Sequence, residues 1–351
     1  MSKIDKYYDT LPWIEKYRPQ NLNEIISHAH ITDTLKKFIN NNSLPHLLFY
    51  GPPGTGKTSV IMSCAKELYG PDYNLMVLEI NASEERGIEV IRTRVHQFVS
   101  TKNIFFGNMK NTFKLVILDE ADAMTGDAQA ILRKVIEKYT YNTRFCLICN
   151  YVKKINIALQ SRCTLFRFSP LKQIYIRKKI AEIIDKENVN ITDLGISTII
   201  KRANGDMRKV LNILQSTSMA YDVVTDVEVN NCTSYPTQNN MIIIFESLIC
   251  DTFKNSLNLI DTIKANEGYS LNDIIIELHE EIIKLIMKDK NTFVMIKNKK
   301  INKLNLAKIL ELMRDIEYNL TICTSELLQT SAIVGIFKLV KHNGTNISQM
   351  F

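Results

Sequence analysis

Between about residues 20 and 168, apolar residues fall in short unbroken runs separated by stretches with a helical repeat. The runs His46-Leu-Leu-Phe-Tyr50, Met76-Val-Leu-Glu-Ile80, Lys114-Leu-Val-Ile-Leu118 and Arg144-Phe-Cys-Leu-Ile-Cys149 have strand length. Continuous apolar runs of that size predict strands buried on both faces. Ile31–Ile39, Thr58–Leu68 and Asp127–Tyr139 read as helices. In the last of these, Asp127 favours the positive N-terminal end, and Lys134 and Lys138 favour the C-terminal end. Strands alternating with helices imply an α/β domain built on a parallel sheet.

The pattern changes after Thr164-Leu-Phe-Arg-Phe168, where Pro170 breaks the chain. Leu171–Asp185, Asp193–Ala203 and Asp206–Ala220 are helical only, together the size of a small three-helix domain. Tyr235-Pro236-Thr237 marks a second boundary. Beyond it, Leu271–Met287 carries apolar residues at Ile275, Leu278, Ile282 and Leu285, and Leu304–Tyr318 repeats the pattern, predicting an all-α C-terminal domain. The expected division is therefore 1–168, 169–234 and 235–351.

At 351 residues, with 45% apolar and 23% charged positions, the chain has the composition of a globular protein with several cores. A net charge of +7 permits a polyanionic partner without demanding one. The abundance of Asn, Ile and Lys reads as a background bias. The 7 cysteines are scattered, which argues against a disulfide framework and for a reducing compartment. Cys146 and Cys149 sit inside a strand-like run with no turn between them, so core packing is expected there rather than metal or redox chemistry. Nothing after Met1-Ser-Lys-Ile-Asp-Lys6 resembles a signal peptide. The aliphatic run Met241-Ile-Ile-Ile-Phe245 falls far short of the ~20 residues of a membrane span.

Chemistry enters at Gly51-Pro-Pro-Gly-Thr-Gly-Lys-Thr58, which fits G-x-x-x-x-G-K-[ST] between a predicted strand and a predicted helix. Glycines there let backbone N–H groups surround phosphate oxygens, and the helix N-terminus adds a favourable dipole. Gly51, Pro52, Pro53, Gly54, Thr55, Gly56, Lys57, Thr58 and Ser59 are the candidate nucleotide-binding residues of this loop. Lys57 reaches the β/γ-phosphates and Thr58 ligates Mg²⁺. The strand ending in Asp119-Glu120 supplies the acids such a site needs: Asp119 for the metal, Glu120 to orient the attacking water. Asn150, at the end of the next strand, is placed to hydrogen-bond the γ-phosphate or the water. Arg162 and Arg208 are candidates for stabilising transition-state charge.

Trp13-Ile-Glu-Lys-Tyr-Arg-Pro19, the loop 51–58, Asn81-Ala-Ser-Glu-Glu-Arg-Gly87, Asp119-Glu-Ala-Asp122, Ser161-Arg-Cys163 and Gly205-Asp-Met-Arg208 together resemble the AAA+ clamp loaders, specifically the small subunits of eukaryotic replication factor C. Leu11-Pro-Trp13, Ala158-Leu-Gln-Ser-Arg-Cys-Thr164 and Asn212-Ile-Leu-Gln-Ser-Thr217 resemble in particular the subunit type numbered three in yeast and five in human. The resemblance runs from about Leu11 to Tyr235 and weakens beyond. Glu84-Glu85 stand where the family usually has two aspartates, which keeps the charge.

The resemblance implies an AAA+ domain, a helical lid and a C-terminal collar. It also implies a nuclear, heteropentameric ATPase that opens the sliding clamp and places it on primer–template DNA, partnered by one large and three other small subunits and by no membrane. Asn150 and Arg208 become sensors of this subunit's own ATP, whereas Arg162 becomes a finger reaching the neighbour's. Trp13, Arg18 and the Ile25–Ile26 region lie near the base. AAA+ domains of this family track duplex phosphates, which requires cations and no base reading. Arg86, Arg92 and Arg94 lie in the matching region and are the DNA candidates. Lys297, Lys299, Lys300 and Lys303 are read as a solvated loop of the collar. Phe105-Phe106 reads equally as a clamp contact and as a buried loop anchor. A homohexameric AAA+ remodelling motor or helicase shares the ATP site, but Ser161-Arg-Cys163 and the collar-like tail favour the loader. Intact Lys57, Asp119, Glu120 and Arg208 argue against a non-catalytic scaffold.

Overall fold

The computed structural model describes residues 11–84, 89, 91–101, 113–288, 293–296, 299–322 and 325–342. They form two compact units, Met1–Asp226 and Val227–Phe351.

The first unit is organised by a five-stranded parallel sheet in the order β2-β3-β4-β1-β5. The strands are β1 (Leu47–Tyr50), β2 (Val77–Asn81), β3 (Lys114–Asp119), β4 (Thr143–Cys149) and β5 (Thr164–Arg167). Before and between them run α1 (Trp13–Lys16), α2 (Ala29–Asn40), α3 (Lys57–Tyr69), α4 (Gly126–Tyr139) and α5 (Ile157–Gln160). Each predicted strand and helix of this stretch is present within a residue or two of its expected bounds.

Alternation along the strands assigns side chains to two cores. Leu48, Val116, Leu118, Phe145, Leu147 and Cys149 pack with Ala128, Leu132 and Ile136 of α4. Leu47, Phe49, Leu115, Ile117, Cys146 and Ile148 pack with Ile31 and Leu35 of α2 and Val60, Ile61 and Leu68 of α3. Fully burying each large aliphatic side chain contributes about 1.5–3 kcal/mol. Cys146 and Cys149 belong to opposite cores, as a spacing of three in a strand requires. They cannot share a ligand, and burial pushes the Cys149 thiol up to about 12.

After β5 come α6 (Gln173–Glu187), α7 (Asp193–Ala203) and α8 (Met207–Ala220), packed through Ile176, Ile180, Ile183, Ile199, Val210 and Leu214. Asn188 and Asn204 end α6 and α7 in the left-handed conformation that suits a helix C-cap. Thr192 and Asp206 cap α7 and α8 through their side chains.

The second unit contains α9 (Asp226–Thr233), α10 (Gln238–Cys250), α11 (Phe253–Glu267), α12 (Leu271–Lys288), α13 (Lys303–Ile322) and α14 (Glu326–His342). The break at Tyr235-Pro236-Thr237 lies inside this unit, between α9 and α10. Ile244, Leu248, Ile275, Leu278, Ile282, Leu306, Ile309, Met313 and Phe337 form its core, with Leu285 half-buried at the edge. Lys338 Nζ donates to the carbonyls of Ser247, Leu248 and Asp251 at 3.1, 2.6 and 2.9 Å, satisfying the C-terminal end of α10. The unit is mostly rather than wholly helical. Phe293–Ile296 (β6) pairs antiparallel with Lys299–Asn302 (β7), where a solvated loop was expected. Within the expected basic cluster, Lys299 and Lys300 fall on β7 and Lys297 lies outside the described residues. Lys303 opens α13 and donates to the Ile286 carbonyl at 2.5 Å.

Candidate active site

The site begins where β1 runs out. Gly51 adopts φ +146°, and a Cβ there would lie 2.0 Å from the Phe168 carbonyl oxygen, so the chain passes that point only as glycine. Gly54 and Gly56 also have positive φ, at +66° and +93°. Gly56 caps α3 with no side-chain acceptor, leaving the first N–H groups of a 13-residue helix without a side-chain partner. Such a terminus, fed by a glycine-rich turn, is a cradle for anionic oxygens.

Sheet order brings the acids and the amide to this cradle. β1 is hydrogen-bonded to β4, and β4 to β3, so Gly51, Asn150 and Asp119-Glu120 all emerge at one sheet edge. The Lys57 ammonium has three protons to place. It donates to the Gly51 carbonyl at 2.7 Å, the Pro52 carbonyl at 2.8 Å and Asn150 Oδ1 at 2.9 Å. Burial lowers its pKa from the usual lysine value, and Arg208 adds to the lowering while Asp119 opposes it. Thr58 Oγ1 donates to Asp119 Oδ2 at 2.7 Å, and Asp119 Oδ1 accepts the Glu120 N–H at 2.8 Å. Glu120 itself has φ +52°, uncommon for a side-chain-bearing residue, and starts the turn Ala121–Ala123. Asp122 accepts the Tyr151 N–H at 3.2 Å and so braces the loop that carries Asn150.

Lys57, Thr58, Asp119, Glu120 and Asn150 line a cleft of about 430 Å³. Of the residues expected at a nucleotide, Arg18, Ile26, Pro53, Gly54, Thr55, Gly56, Lys57, Thr58, Ser59, Asp119, Glu120, Asn150 and Arg208 line it together. Gly51 and Pro52 contribute through the carbonyls that hold Lys57 rather than through the wall. Trp13, expected near the base, is not part of the wall. Its side chain is buried, its backbone N–H donates to Gln215 Oε1 of α8 at 3.0 Å, and its neighbours Ile14 and Glu15 line the cleft instead. Arg162 is also absent from the wall. It bonds Glu137 Oε1 of α4 at 2.5 Å and the Ala158 carbonyl at 2.7 Å. Arg94 is exposed, whereas Arg86, the Arg92 side chain and Phe105-Phe106 lie outside the described residues.

Several wall residues escaped the sequence reading. Tyr175, Ile176 and Lys179 come from α6, Met207 and Leu211 from α8, and Tyr17 and Glu24 from the N-terminal segment. Only the one-turn spacing of Tyr175 and Lys179, which puts both on one helix face, could have suggested a shared direction.

The residues present fit a nucleoside triphosphate with a divalent cation. Glycines stand where any Cβ would strain or collide, Lys57 is held at the loop, and a hydroxyl touches a carboxylate. Thr58 and Asp119 offer the hard oxygen donors that Mg²⁺ takes when phosphate and water complete its shell. Among the described residues no cluster of three or more His, Cys, Asp or Glu could hold a metal unaided.

Comparison with known proteins agrees with this chemistry. Residues 47–171 match the ATPase family associated with various cellular activities (AAA), and residues 236–335 match the replication factor C C-terminal domain. Replication factor C subunit 5 of Homo sapiens is 46% identical over 94% of this chain and 92% of its own length. The chain belongs to the replication factor C subunits. Probable replication factor C subunit 5 of Dictyostelium discoideum is 46% identical over 95% of this chain and 92% of its own. Replication factor C subunit 3 of Schizosaccharomyces pombe is 44% identical over 94% and 91%. The fold is also similar to that of a more distant protein. The Thermotoga maritima RuvB Holliday junction branch migration motor superposes with a TM-score of 0.52 at 14% identity, covering 84% of this chain and 98% of its own. As an AAA-family replication factor C subunit, this chain binds nucleotide and is an ATPase. No described helix is long and apolar enough to cross a membrane.

Proposed function

We propose that this chain is an ATP-hydrolysing subunit of a heteropentameric clamp loader, which opens the sliding clamp and places it on primer–template DNA for replication and repair synthesis in the nucleus. The observation that carries the reading is the convergence of Lys57, Asn150, Thr58, Asp119, Glu120 and Arg208 on one cleft, in a chain matched over nearly its whole length by replication factor C subunits. On this reading residues 1–168 are the AAA+ domain, 169–234 the lid and 235–351 the collar that joins the ring.

Lys57 exchanges its carbonyl partners for β- and γ-phosphate oxygens and so neutralises charge where it builds up. Thr58 and Asp119 would hold Mg²⁺, which when bound would supply Lewis-acid neutralisation of the phosphate oxygens. Glu120 orients a water and accepts its proton as the oxygen bonds to the γ-phosphorus. The bond to the β-phosphate oxygen breaks, yielding ADP and inorganic phosphate. Asn150 and Arg208 hold the γ-phosphate from two sides. Arg162, bonded outside its own cleft, serves the ATP of the adjacent subunit. Arg94, with Arg86 and Arg92, tracks DNA phosphates.

Native mass spectrometry of the tagged chain from its own cells tests the assembly. One copy with related but different AAA+ subunits in a pentamer is expected, and a homohexamer overturns the proposal. Lys57→Ala tests the chemistry, because unchanged ATPase in the assembled complex would remove this subunit from catalysis.

A further inference from the structure

The P-loop is clasped by a residue that the motifs leave without a task. Asp206 lies at the start of α8, two residues before Arg208. Its carboxylate oxygen Oδ1 accepts the N–H groups of Arg208 and Lys209 at 2.8 and 3.3 Å, which caps the helix. The same carboxylate fills the space beside Gly54. A Cβ added to Gly54 would meet Asp206 Oδ1 at 1.6 Å and Cγ at 2.2 Å. Next to it, the Met207 N–H donates to the Gly54 carbonyl at 3.1 Å. The approach is braced from behind by Gly205, whose carbonyl accepts the Leu171 N–H at 3.1 Å and whose φ of +82° suits glycine. Gly54, Met207 and Arg208 all line the cleft.

We propose that Asp206 is a positioning residue of this ATPase: it fixes the register between α8 and the P-loop at Gly54, and thereby where Arg208 stands over the phosphates. The inference deepens the hydrolytic reading given above and rests on it. One carboxylate oxygen ties two amides to one position, and the bulk of the carboxylate sets how closely the helix approaches the loop. A change at the P-loop therefore reaches Arg208 through contacts a few ångströms long. In the absence of Asp206 the arginine keeps its charge and loses its aim, and displacement of about 1 Å can cost up to ~100-fold in rate.

The test uses the complete complex reconstituted with its partner subunits. Asp206→Ala is expected to lower the kcat assignable to this subunit by about 10- to 100-fold, with a much smaller change in KM. Asp206→Asn, which keeps the oxygen acceptor and the size, is expected to restore most of that loss. Asp206→Ser caps the helix equally well but withdraws from Gly54. It is expected to keep thermal stability and still lose kcat, a split that a merely structural cap would not produce. Adding Arg208→Ala to Asp206→Ala is expected to cost little more than Arg208→Ala alone, because both remove one function. Full activity of the Ser variant, an Asn variant as poor as Ala, or costs of Asp206 and Arg208 that multiply would each overturn the proposal. Lys57→Ala, run alongside, separates the two levels. If it leaves hydrolysis intact, the hydrolytic reading itself falls. If it abolishes hydrolysis while Asp206 and Arg208 act independently, only the positioning role falls.

Discussion

His46, at the foot of β1, shows how one buried ring makes stability depend on pH. Its Nδ1 accepts the Phe145 N–H at 3.2 Å and its Nε2 lies 3.3 Å from Thr140 Oγ1. Burial, followed by the nearby Arg144 guanidinium, lowers its pKa to about 4 from 6.5. A depressed folded-state pKa means that folding excludes the proton, so the contribution is complete above 6.5 and is lost as pH falls toward 4. The loss reaches about 3 kcal/mol by pH 4. Urea titrations between pH 7 and 4 are expected to show a shallower decline for His46→Gln than for the unchanged chain, and equal slopes would contradict this account. At this scale the sequence was informative where a residue type is forced by chemistry, as with Lys57, Thr58 and Asp119. It did not show that Trp13, expected near the base, has its side chain buried rather than in the cleft wall. It was silent about Asp206, whose importance lies in the glycine it faces.

Elements explain which predictions succeeded. Runs such as Leu115–Leu118 could be read as buried strands because every residue in them enters one core or the other. The β6-β7 hairpin was missed because lysines and asparagines between two helices look like a solvated connection, whereas its pairing is made by main-chain groups that no side-chain pattern reports. Apart from Arg208, the part of the cleft wall on α6 and α8 was missed for a related reason: nothing in the repeat of these helices says which residues face the phosphate loop. The junction of β1 and β5 supports a sharper prediction. Gly51→Ala places a Cβ 2.0 Å from the Phe168 carbonyl, so β5 must move or the loop must deform. Destabilisation of at least ~2 kcal/mol is expected, accompanied by weaker nucleotide binding. Thermal melts and fluorescent-nucleotide titration check both, and a variant with normal stability and affinity would show that the loop yields freely.

For the whole molecule, the most informative arginine is the one missing from its own cleft. Arg162 is bound to Glu137 and to the end of α5, and Arg162→Ala is expected to lower hydrolysis at the adjacent subunit by ~10³-fold. This chain's own nucleotide affinity should stay near normal. A loss of ATP binding in the isolated chain would place the residue in cis. The order of the strands has one more consequence. Because β3, β4 and β1 are hydrogen-bonded neighbours, the spacing of Asp119, Asn150 and the loop after Tyr50 is set by the backbone ladder, roughly 4.8 Å per step. That interval is common to all sequences able to form the sheet. A genome that drifts toward asparagine, isoleucine and lysine can therefore rewrite most of the surface without detuning the catalytic geometry.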